Sequence, residues 1–482
     1  MLLRRFYDEG LAQASYLIGC QATGEALVVD PNRDIEQYIA AAEAEGLRIA
    51  HVTETHIHAD FVSGSRELSQ RTGATLYLSD EGGPDWRYDY AAQAGAVLLK
   101  DGALLQIGRV AIEVLHTPGH TPEHLAFLVT DTRAASAPLG VLSGDFVFVG
   151  DVGRPDLLER VAHYRGTMEQ GARQLFQSLQ RFKRFPDYVQ IWPGHGAGSA
   201  CGKALGAMPQ STLGYERLAN WAFGITEETP FVAAVLDGQP EPPKYFAEMK
   251  RINKEGPRIL GGLSRPRRIP AARAGDLLAA GTLVVDTRPA ADFAAAHIPG
   301  TINIPLNRAF TTWAGWLVPY DREFYLLIDH ARGEAVETAL RDLAMIGLDR
   351  VAGYLDCDDE TLEAWRAAGG TLGSTPQLTV AQLRERLGAD AVTVIDVRGR
   401  AEWEAGHLPG VANIPLGLLP DRLDELPARG PIVLQCQTGS RSAIAASLLE
   451  ARGRGDVANL EGGFAAWRQA GYPIEVESPV PV

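Results

Sequence analysis

A short stretch rich in histidine and acidic residues, His51 to Asp60 (HVTETHIHAD), constrains this chain more than any other feature. The apolar run Leu47–Ala50 precedes it, so the pattern predicts a buried strand that runs out into a loop. On that loop His56 and His58 are two residues apart, and a strand end can aim both at one point. Imidazole and carboxylate groups are the ligands that suit zinc, iron or manganese. A polar loop with incidental histidines is the alternative, and the stretch alone favours a metal over it.

The same arrangement recurs at three further apolar runs along the chain. The segment LHTPGHTPEH carries His120 after a Pro-Gly bend, VLSGD ends at Asp145, and IWPGHG carries His195. Structural histidines do not usually recur at strand ends in this way. The repetition therefore predicts a metal site built where these strands end.

Composition bounds the remaining possibilities. A length of 482 residues predicts about three domains, and the net charge of −15 argues against nucleic acid or an anionic membrane surface as a partner. The segment before Cys20 lacks the apolar region of a signal peptide, and no run approaches a membrane span. The four cysteines form no CxxC pair, so we expect thiols in a reducing, cytoplasmic compartment.

The order THxHxD, TPGHT, GD and PGHG, from Met1 to about Pro257, resembles the metallo-β-lactamase superfamily. This resemblance implies an αββα sandwich and includes both glyoxalase II-like hydrolases and persulfide dioxygenases. The dinuclear hydrolases carry a further histidine directly after the aspartate of the first motif, where this chain has Phe61. A phenyl ring cannot bind a metal, so the departure disfavours a dinuclear hydrolase, although it does not by itself select iron.

Persulfide dioxygenases of this superfamily hold a single iron with two histidines and one aspartate, which leaves positions for O2 and substrate. By motif position those ligands are His56, His120 and Asp145. The resemblance therefore implies one Fe(II) per chain, with zinc as the alternative. Three further motif residues would orient the ligands or bound water: His58, Asp60 and His195.

Two residues outside the metal motifs are candidate substrate contacts. The segment FVGDVGRPD resembles the dioxygenase loop with a substrate-binding arginine, which implies that Arg154 clamps an anionic persulfide or its carrier. The alternative role for Arg154 is that of a surface arginine in a salt bridge. Cys201 follows His195 within six residues, so it could hold a transient persulfide or could be a small buried residue.

An internal repeat begins near Ile259, where two segments match at an offset of 110 residues. The first contains LVVDTR, HIPG and NIP, and the second contains VIDVR, HLPG and NIP. In each, an apolar strand ends in Asp-x-Arg and a short helix and a tight turn follow. The two copies, about Ile269–Gly370 and Pro376–Ile474, resemble the rhodanese family, a parallel α/β fold.

The copies differ at the loop that carries the rhodanese nucleophile. In the second copy, QCQTGSRS presents Cys436, and the resemblance implies that loop amides and a helix N-terminus surround this thiol and stabilise its persulfide. Cys436 is thus predicted to carry sulfur, and Arg441 to contact sulfite or thiosulfate. The first copy has Asp329 at the aligned position, which predicts a scaffold or interface role without sulfurtransferase activity.

We therefore expect a dioxygenase domain at residues 1–258, an inactive rhodanese-like domain at 259–374 and an active rhodanese domain at 375–482. One site would oxidise a small-molecule persulfide with O2 to sulfite, and Cys436 would transfer sulfur to that sulfite, giving thiosulfate in sulfide detoxification. The alternative is a glyoxalase II-like zinc thioester hydrolase fused to a sulfur-trafficking rhodanese. The carrier thiol stays open among glutathione, coenzyme A, bacillithiol and others, and a homodimer or homotetramer is expected.

Overall fold

The structure is a computed structural model that describes residues 1–162, 166–239, 241–263, 265–329, 333–389 and 391–477. The chain divides into two compact units. The first comprises Met1–Leu263 with Ala344–Gly347, and the second Ser264–Leu343 with Leu348–Val482. Both internal copies lie in the second unit, so the division into three domains at 258 and 374 stays a prediction.

The first unit contains two six-stranded sheets whose strands follow one another in chain order. The strands of the first sheet are β1 Leu2–Asp8, β2 Gln13–Cys20, β3 Glu25–Val29, β4 Arg48–Thr53, β5 Thr75–Ser79 and β6 Val97–Leu99. The strands of the second are β7 Leu104–Ile107, β8 Val110–His116, β9 Leu125–Asp131, β10 Gly140–Gly144, β11 Gln190–Pro193 and β12 Ser211–Thr212. Strands β10 and β11 run parallel, so the residues that follow both emerge at one edge.

Three apolar clusters hold the two sheets and their helices together. Alternate residues of the strands face inwards and pack Ile18 and Leu27 of one sheet with Phe127 and Trp192 of the other. A second cluster lies between the first sheet and the helices at Glu36–Ala44 and Ser65–Thr72, and a third between the second sheet and the helix at Thr167–Phe182. The predicted αββα sandwich is confirmed. The helices of this unit are α1 Glu36–Ala44, α2 Ser65–Thr72, α3 Leu157–Ala162, α4 Thr167–Phe182, α5 Leu213–Ala219, α6 Trp221–Gly224, α7 Glu228–Leu236 and α8 Tyr245–Glu255.

The second unit contains two five-stranded sheets, and every strand pair in them is parallel. In chain order the strands of the first are β13 Arg267–Arg268, β14 Leu283–Asp286, β15 Ile302–Asn303, β16 Phe324–Ile328 and β17 Val351–Asp356. Those of the second are β18 Gln377–Leu378, β19 Thr393–Asp396, β20 Ala412–Asn413, β21 Ile432–Gln435 and β22 Val457–Leu460. Both sheets have the same strand order, so the sequence repeat is a repeat of the fold.

Helices connect these parallel strands, as crossover connections require. In the first copy they are α9 Ala274–Ala279, α10 Ala290–Ala295, α11 Phe310–Leu317, α12 Ala335–Met345 and α13 Asp359–Ala367. In the second copy they are α14 Val380–Gly388, α15 Arg400–Glu404, α16 Ser440–Ala451 and α17 Gly463–Gln469. Among the described residues, no helix is both long and apolar enough to cross a bilayer.

Candidate functional sites

Three potential metal ligands converge where strands β4, β8 and β10 end. His56 lies in the loop after β4, His120 in the turn after β8, and Asp145 directly after β10. The Oδ2 atom of Asp145 is 3.5 Å from Nε2 of His120 and 4.0 Å from Nε2 of His56. All three side chains are buried. These separations suit donors around one ion, which binds each at about 2.0–2.2 Å.

Hydrogen bonds at Nδ1 fix the orientation of both histidine rings. His120 donates its Nδ1 hydrogen to the Arg154 carbonyl at 3.0 Å. The Thr55 hydroxyl donates to Asp30 and therefore accepts from Nδ1 of His56 at 2.9 Å. In both rings Nε2 is left as the lone-pair nitrogen facing the cluster, which is the tautomer that a metal requires.

Electrostatics favours the same protonation states. Burial and the neighbouring imidazoles hold the pKa of His56 well below its ordinary value, and burial lowers the pKa of His120. Burial disfavours the charged form of Asp145, but the facing imidazoles of His195 and His120 outweigh it and lower the pKa of Asp145. Neutral histidines beside an ionised aspartate are ready for a cation.

The carboxylates supply an independent test of whether a metal fits. Both oxygens of Asp60 and both oxygens of Asp145 are buried, and none accepts a hydrogen bond from the described residues. Buried carboxylate oxygens without a donor are costly, and a bound cation removes that cost. The donor set therefore fits a divalent metal at His56, His120 and Asp145.

His58 is not one of the triad, although its ring lies next to that of His56 with centroids 4.2 Å apart. Its Nε2 lies 3.0 Å from Oδ1 of Asp30, and Phe61 packs on its ring with centroids 4.4 Å apart. Burial opposes the charge, but the Asp30 carboxylate outweighs it and raises the pKa of His58 to about 9. Asp30 also accepts hydrogen bonds from the amide and the hydroxyl of Thr55, the residue that orients His56. The carboxylate of Asp30 therefore connects His58 to Thr55.

A second group of ligand-type side chains lies on the other side of Asp145. Nε2 of His195 is 3.4 Å from Oδ1 of Asp145 and 3.3 Å from Oδ2 of Asp60. The Sγ atom of Cys201 belongs to the same group, in which the ligand atoms of Asp60, His195 and Cys201 lie within 4.8 Å of one another. Burial, together with both carboxylates, holds the pKa of Cys201 well above its ordinary value. The sequence argument from Phe61 did not anticipate that a thiol joins this group.

Arg154 is fully buried and held within the protein. Nε and one terminal nitrogen bind both oxygens of Asp156 at 2.8 and 2.7 Å, and the other terminal nitrogen donates to the Ala200 carbonyl at 3.0 Å. The salt bridge of the alternative role is present, but its surface position is wrong, because the Arg154 side chain is buried. The substrate clamp stays a prediction. The main-chain carbonyl of Arg154 also orients His120.

Two residues that the sequence analysis did not single out support the loops of the site. Asn253 in α8 donates its side-chain amide to the carbonyls of His58 and Phe61 and accepts from the Ser63 amide. His124 accepts from the main-chain amide of Asp145 at 3.0 Å. His124 was visible in the TPGHTPEH motif, whereas nothing in the sequence near Asn253 indicates its role.

The predicted sulfur carrier lies between a central strand and a helix. Cys436 follows β21, and α16 begins four residues later. Its Sγ atom accepts from the Gly439 amide at 3.2 Å and from the Ser442 hydroxyl at 3.4 Å. Such donors stabilise a thiolate or a persulfide anion. Arg441 is the second residue of helix α16, and its two terminal nitrogens bind Glu402.

The strand register corrects one alignment made from the sequence. In both copies the aspartate of the Asp-x-Arg motif has a partner on the central strand, Asp286 with Leu327 and Asp396 with Gln435. The residue after Leu327 is Ile328 and the residue after Gln435 is Cys436, so Ile328 is the counterpart of Cys436. Asp329 lies one position further along the chain. The expectation that Asp329 stands at the position of the cysteine is therefore wrong, because the strand register assigns that position to Ile328. An isoleucine cannot carry a persulfide either; residues 330–332 of this loop lie outside the described residues.

Comparison with known proteins agrees with both halves of the fold. The family model described as the metallo-beta-lactamase superfamily matches residues 8–195, and the rhodanese-like domain model matches residues 271–356 and 379–470. A solved structure, a metallo-beta-lactamase from Staphylococcus aureus subsp. aureus COL, is 43% identical with a TM-score of 0.66. The match covers 74% of this chain and 98% of that one. The chain belongs to the metallo-β-lactamase superfamily and carries two rhodanese-like domains.

Two curated relatives of the first unit have different activities in their names. Persulfide dioxygenase ETHE1, mitochondrial, of Bos taurus is 29% identical over 201 residues, which are 40% of this chain and 68% of that protein. A hydroxyacylglutathione hydrolase of Rhodospirillum rubrum is 28% identical over 185 residues, which are 37% of this chain and 60% of the hydrolase. The two sequence identities are nearly equal, so they favour neither the dioxygenase nor the hydrolase activity.

Proposed function

We propose that this chain oxidises low-molecular-weight persulfides at a single iron and passes sulfane sulfur through Cys436. The observation that carries the proposal is the buried triad of His56, His120 and Asp145, in which two neutral imidazoles and one carboxylate face one point. Two histidines and one carboxylate with open positions are the donor set of non-heme iron oxygenases. Similarity to the bovine persulfide dioxygenase supports the same chemistry.

When bound there, iron supplies a centre at which a persulfide and O2 can meet and react. The overall reaction is R–SSH + O2 + H2O → R–SH + SO3²⁻ + 2H⁺. The chain's own contribution is to fix the three ligands and to manage protons. Burial raises the pKa of Asp60, whose carboxylate lies 3.3 Å from Nε2 of His195, so this pair can hold a proton from the incoming persulfide.

The second chemistry belongs to Cys436. Its thiolate takes the outer sulfur of R–SSH, which releases R–SH and leaves a cysteine persulfide anion. Sulfite then attacks that outer sulfur, which restores the thiolate and yields thiosulfate. The Gly439 amide and the Ser442 hydroxyl, both within hydrogen-bonding distance of Sγ, stabilise the anion in both steps.

The fused rhodanese-like domains favour this assignment because sulfite, the product of one reaction, is the sulfur acceptor of the other. The experiment is to measure metal content and O2 uptake on a synthetic glutathione persulfide for the full-length protein. We expect one iron per chain and rapid O2 uptake, both lost in His120→Ala. The control is His51→Ala, which removes a histidine from the same stretch but outside the triad. O2 uptake that survives in His120→Ala would contradict the proposal.

A second candidate function is favoured by the group of Asp60, His195 and Cys201. Asp145 is shared by the two ligand groups, since its Oδ2 lies near Nε2 of His120 and its Oδ1 lies near Nε2 of His195. The second group, together with Asp145, would hold a second metal ion and complete the dinuclear site of a metal-dependent thioester hydrolase. The hydroxyacylglutathione hydrolase relative agrees with this alternative. Two zinc ions per chain with rapid thioester hydrolysis and no O2 uptake would establish it instead of the dioxygenase.

A further inference from the structure

We propose that Trp316, a residue of the first rhodanese-like copy, forms one wall of the Cys436 pocket in the second copy and restricts the size of its sulfur donors. The inference rests on the proposed role of Cys436 as sulfur carrier. It also gives the first copy, which lacks the cysteine, a part in the reaction.

The observation that starts the argument is a close approach between Trp316 and Gly417. A Cβ atom placed on Gly417 would lie 2.6 Å from Cζ3 of the indole and would overlap its six-membered ring. Real Cβ atoms do not approach carbon so closely, so residue 417 must be glycine while the indole lies there. Gly417 is buried, whereas the indole of Trp316 is half-buried and keeps some exposed surface.

The internal repeat identifies the residue of the first copy that corresponds to Gly417. In the first copy the Leu306 amide donates to the Thr287 carbonyl, and in the second the Leu416 amide donates to the Val397 carbonyl. This shared hydrogen bond makes Gly417 the counterpart of Asn307. The side-chain amides of Asn303 and Asn413 bind equivalent carbonyls in the two copies, which confirms the offset of 110 residues.

Asn307 lines a cavity of about 200 Å³ in the first copy. The same cavity is lined by Arg288 and by Ile328, the counterpart of Cys436 in the strand register. In the second copy, Cys436 and Gly417 occupy the positions that Ile328 and Asn307 hold around this cavity in the first copy. Because Gly417 has no side chain, the surface at this point is the indole of Trp316.

An indole wall has a definite chemical consequence. It is rigid, uncharged and flat, so it narrows the pocket without binding an anion. A terminal persulfide, sulfite or thiosulfate can reach Cys436 past such a wall, whereas a donor with a bulky group next to the transferable sulfur is excluded. The substrate class is thus small sulfur oxyanions and unhindered persulfides.

The test compares two thiosulfonates as sulfur donors to cyanide in the full-length protein, methanethiosulfonate as the small donor and benzenethiosulfonate as the bulky donor. The measured quantity is the ratio of kcat/KM for the bulky donor to kcat/KM for the small one. In Trp316→Ala we expect this ratio to rise about tenfold, the scale at which pocket shape discriminates substrates. Trp316→Phe should give a smaller rise. Comparing the same two donors across variants removes their intrinsic difference in reactivity.

Trp365→Ala is the matched control. Trp365 also covers a glycine, Gly370, but this contact lies within the first copy. If its ratio stays at the parent value while that of Trp316→Ala rises, the wall is supported. A parent-like ratio in both Trp316→Ala and Trp316→Phe, with both variants folded and active, overturns the inference. A parent protein that forms no thiocyanate from either donor would instead refute the sulfur-transfer role of Cys436 and, with it, the proposed wall.

Discussion

Arg441 is bound by Glu402 through two parallel hydrogen bonds of 2.6 and 2.7 Å between its terminal nitrogens and the two carboxylate oxygens. Burial disfavours the charged carboxylate, but the Arg441 guanidinium outweighs it and holds the pKa of Glu402 below its ordinary value. The arginine predicted to contact sulfite or thiosulfate is therefore already paired with an anion. Any oxyanion that enters must compete with Glu402.

This competition gives a direct prediction for Glu402→Gln. Removing the carboxylate charge leaves the guanidinium without its ionic partner, so we expect the KM for thiosulfate to fall about threefold through improved Coulomb attraction. The control is Glu404→Gln on the same helix, which breaks an exposed pair with Arg400. Steady-state thiocyanate formation measures both. A KM that rises in Glu402→Gln would mean that Glu402 positions Arg441 for the substrate.

Gly153 lies against two proposed metal ligands, with no room for a side chain between them and its main chain. A Cβ atom there would overlap the main-chain carbonyl oxygen of Asp145 and lie 3.0 Å from Cβ of His120. We expect Gly153→Ala to reduce bound metal severalfold and to lower the free energy of unfolding by about 1–3 kcal/mol, as overpacking does. Metal analysis after gel filtration and thermal melting measure the two effects. Gly224→Ala, where an added Cβ meets nothing within 4 Å, is the control. Full metal content with an unchanged melt would contradict the role.

The sequence predicted those residues of the site that belong to short, continuous motifs. Apolar runs ending in His or Asp located His56, His120 and Asp145, because strand ends in a sandwich meet at shared edges. Asn253 could not be predicted, since it reaches the carbonyl of His58 from a helix 195 residues away in the chain. Its role depends on how α8 packs on the loop.

The alignment error at Asp329 has a similar origin. Repeat matching aligns residues near the Asp-x-Arg motif that both copies share, but the hydrogen-bond register between neighbouring strands decides which residue ends each central strand. The same limit applies to Arg441. The motif located it beside Cys436, but its pairing with Glu402 depends on helix α15, which precedes it by many residues.

The two proposed chemistries should separate in Cys436→Ser. A serine hydroxyl cannot form a persulfide, so sulfur transfer should stop while O2 uptake continues. The product of persulfide turnover should shift from thiosulfate to sulfite, measured by chromatography after derivatisation alongside an oxygen electrode. Cys357→Ser is the control, because burial raises the pKa of Cys357 to about 12 and leaves its thiol unreactive. Undiminished thiosulfate from Cys436→Ser would show that sulfur moves by another route.

A partly buried carboxyl within the second unit makes the stability of that unit depend on pH. Glu450 in α16 accepts from the Thr375 hydroxyl at 2.8 Å and lies 3.8 Å from Nε2 of His297. Burial raises the pKa of Glu450 from its ordinary 4.5 to about 7, and burial lowers that of His297. Because the folded-state pKa of Glu450 exceeds the unfolded one, its contribution to stability is fully present below about pH 4.5 and is lost as the pH rises through 7.

Glu450→Gln should remove this dependence, since the amide keeps an acceptor oxygen for Thr375 but cannot ionise. We expect the variant to unfold at a higher temperature than the parent at about pH 8, with a gain of about 1–2 kcal/mol because solvent reaches part of the carboxyl. At about pH 5 the difference should be much smaller, because there the parent carboxyl is already largely protonated in the folded protein. Thermal melts of the full-length protein across this range measure the effect, and the exposed Glu385→Gln is the control. If Glu450→Gln and the parent have parallel pH profiles, the Glu450 carboxyl does not titrate with folding as proposed.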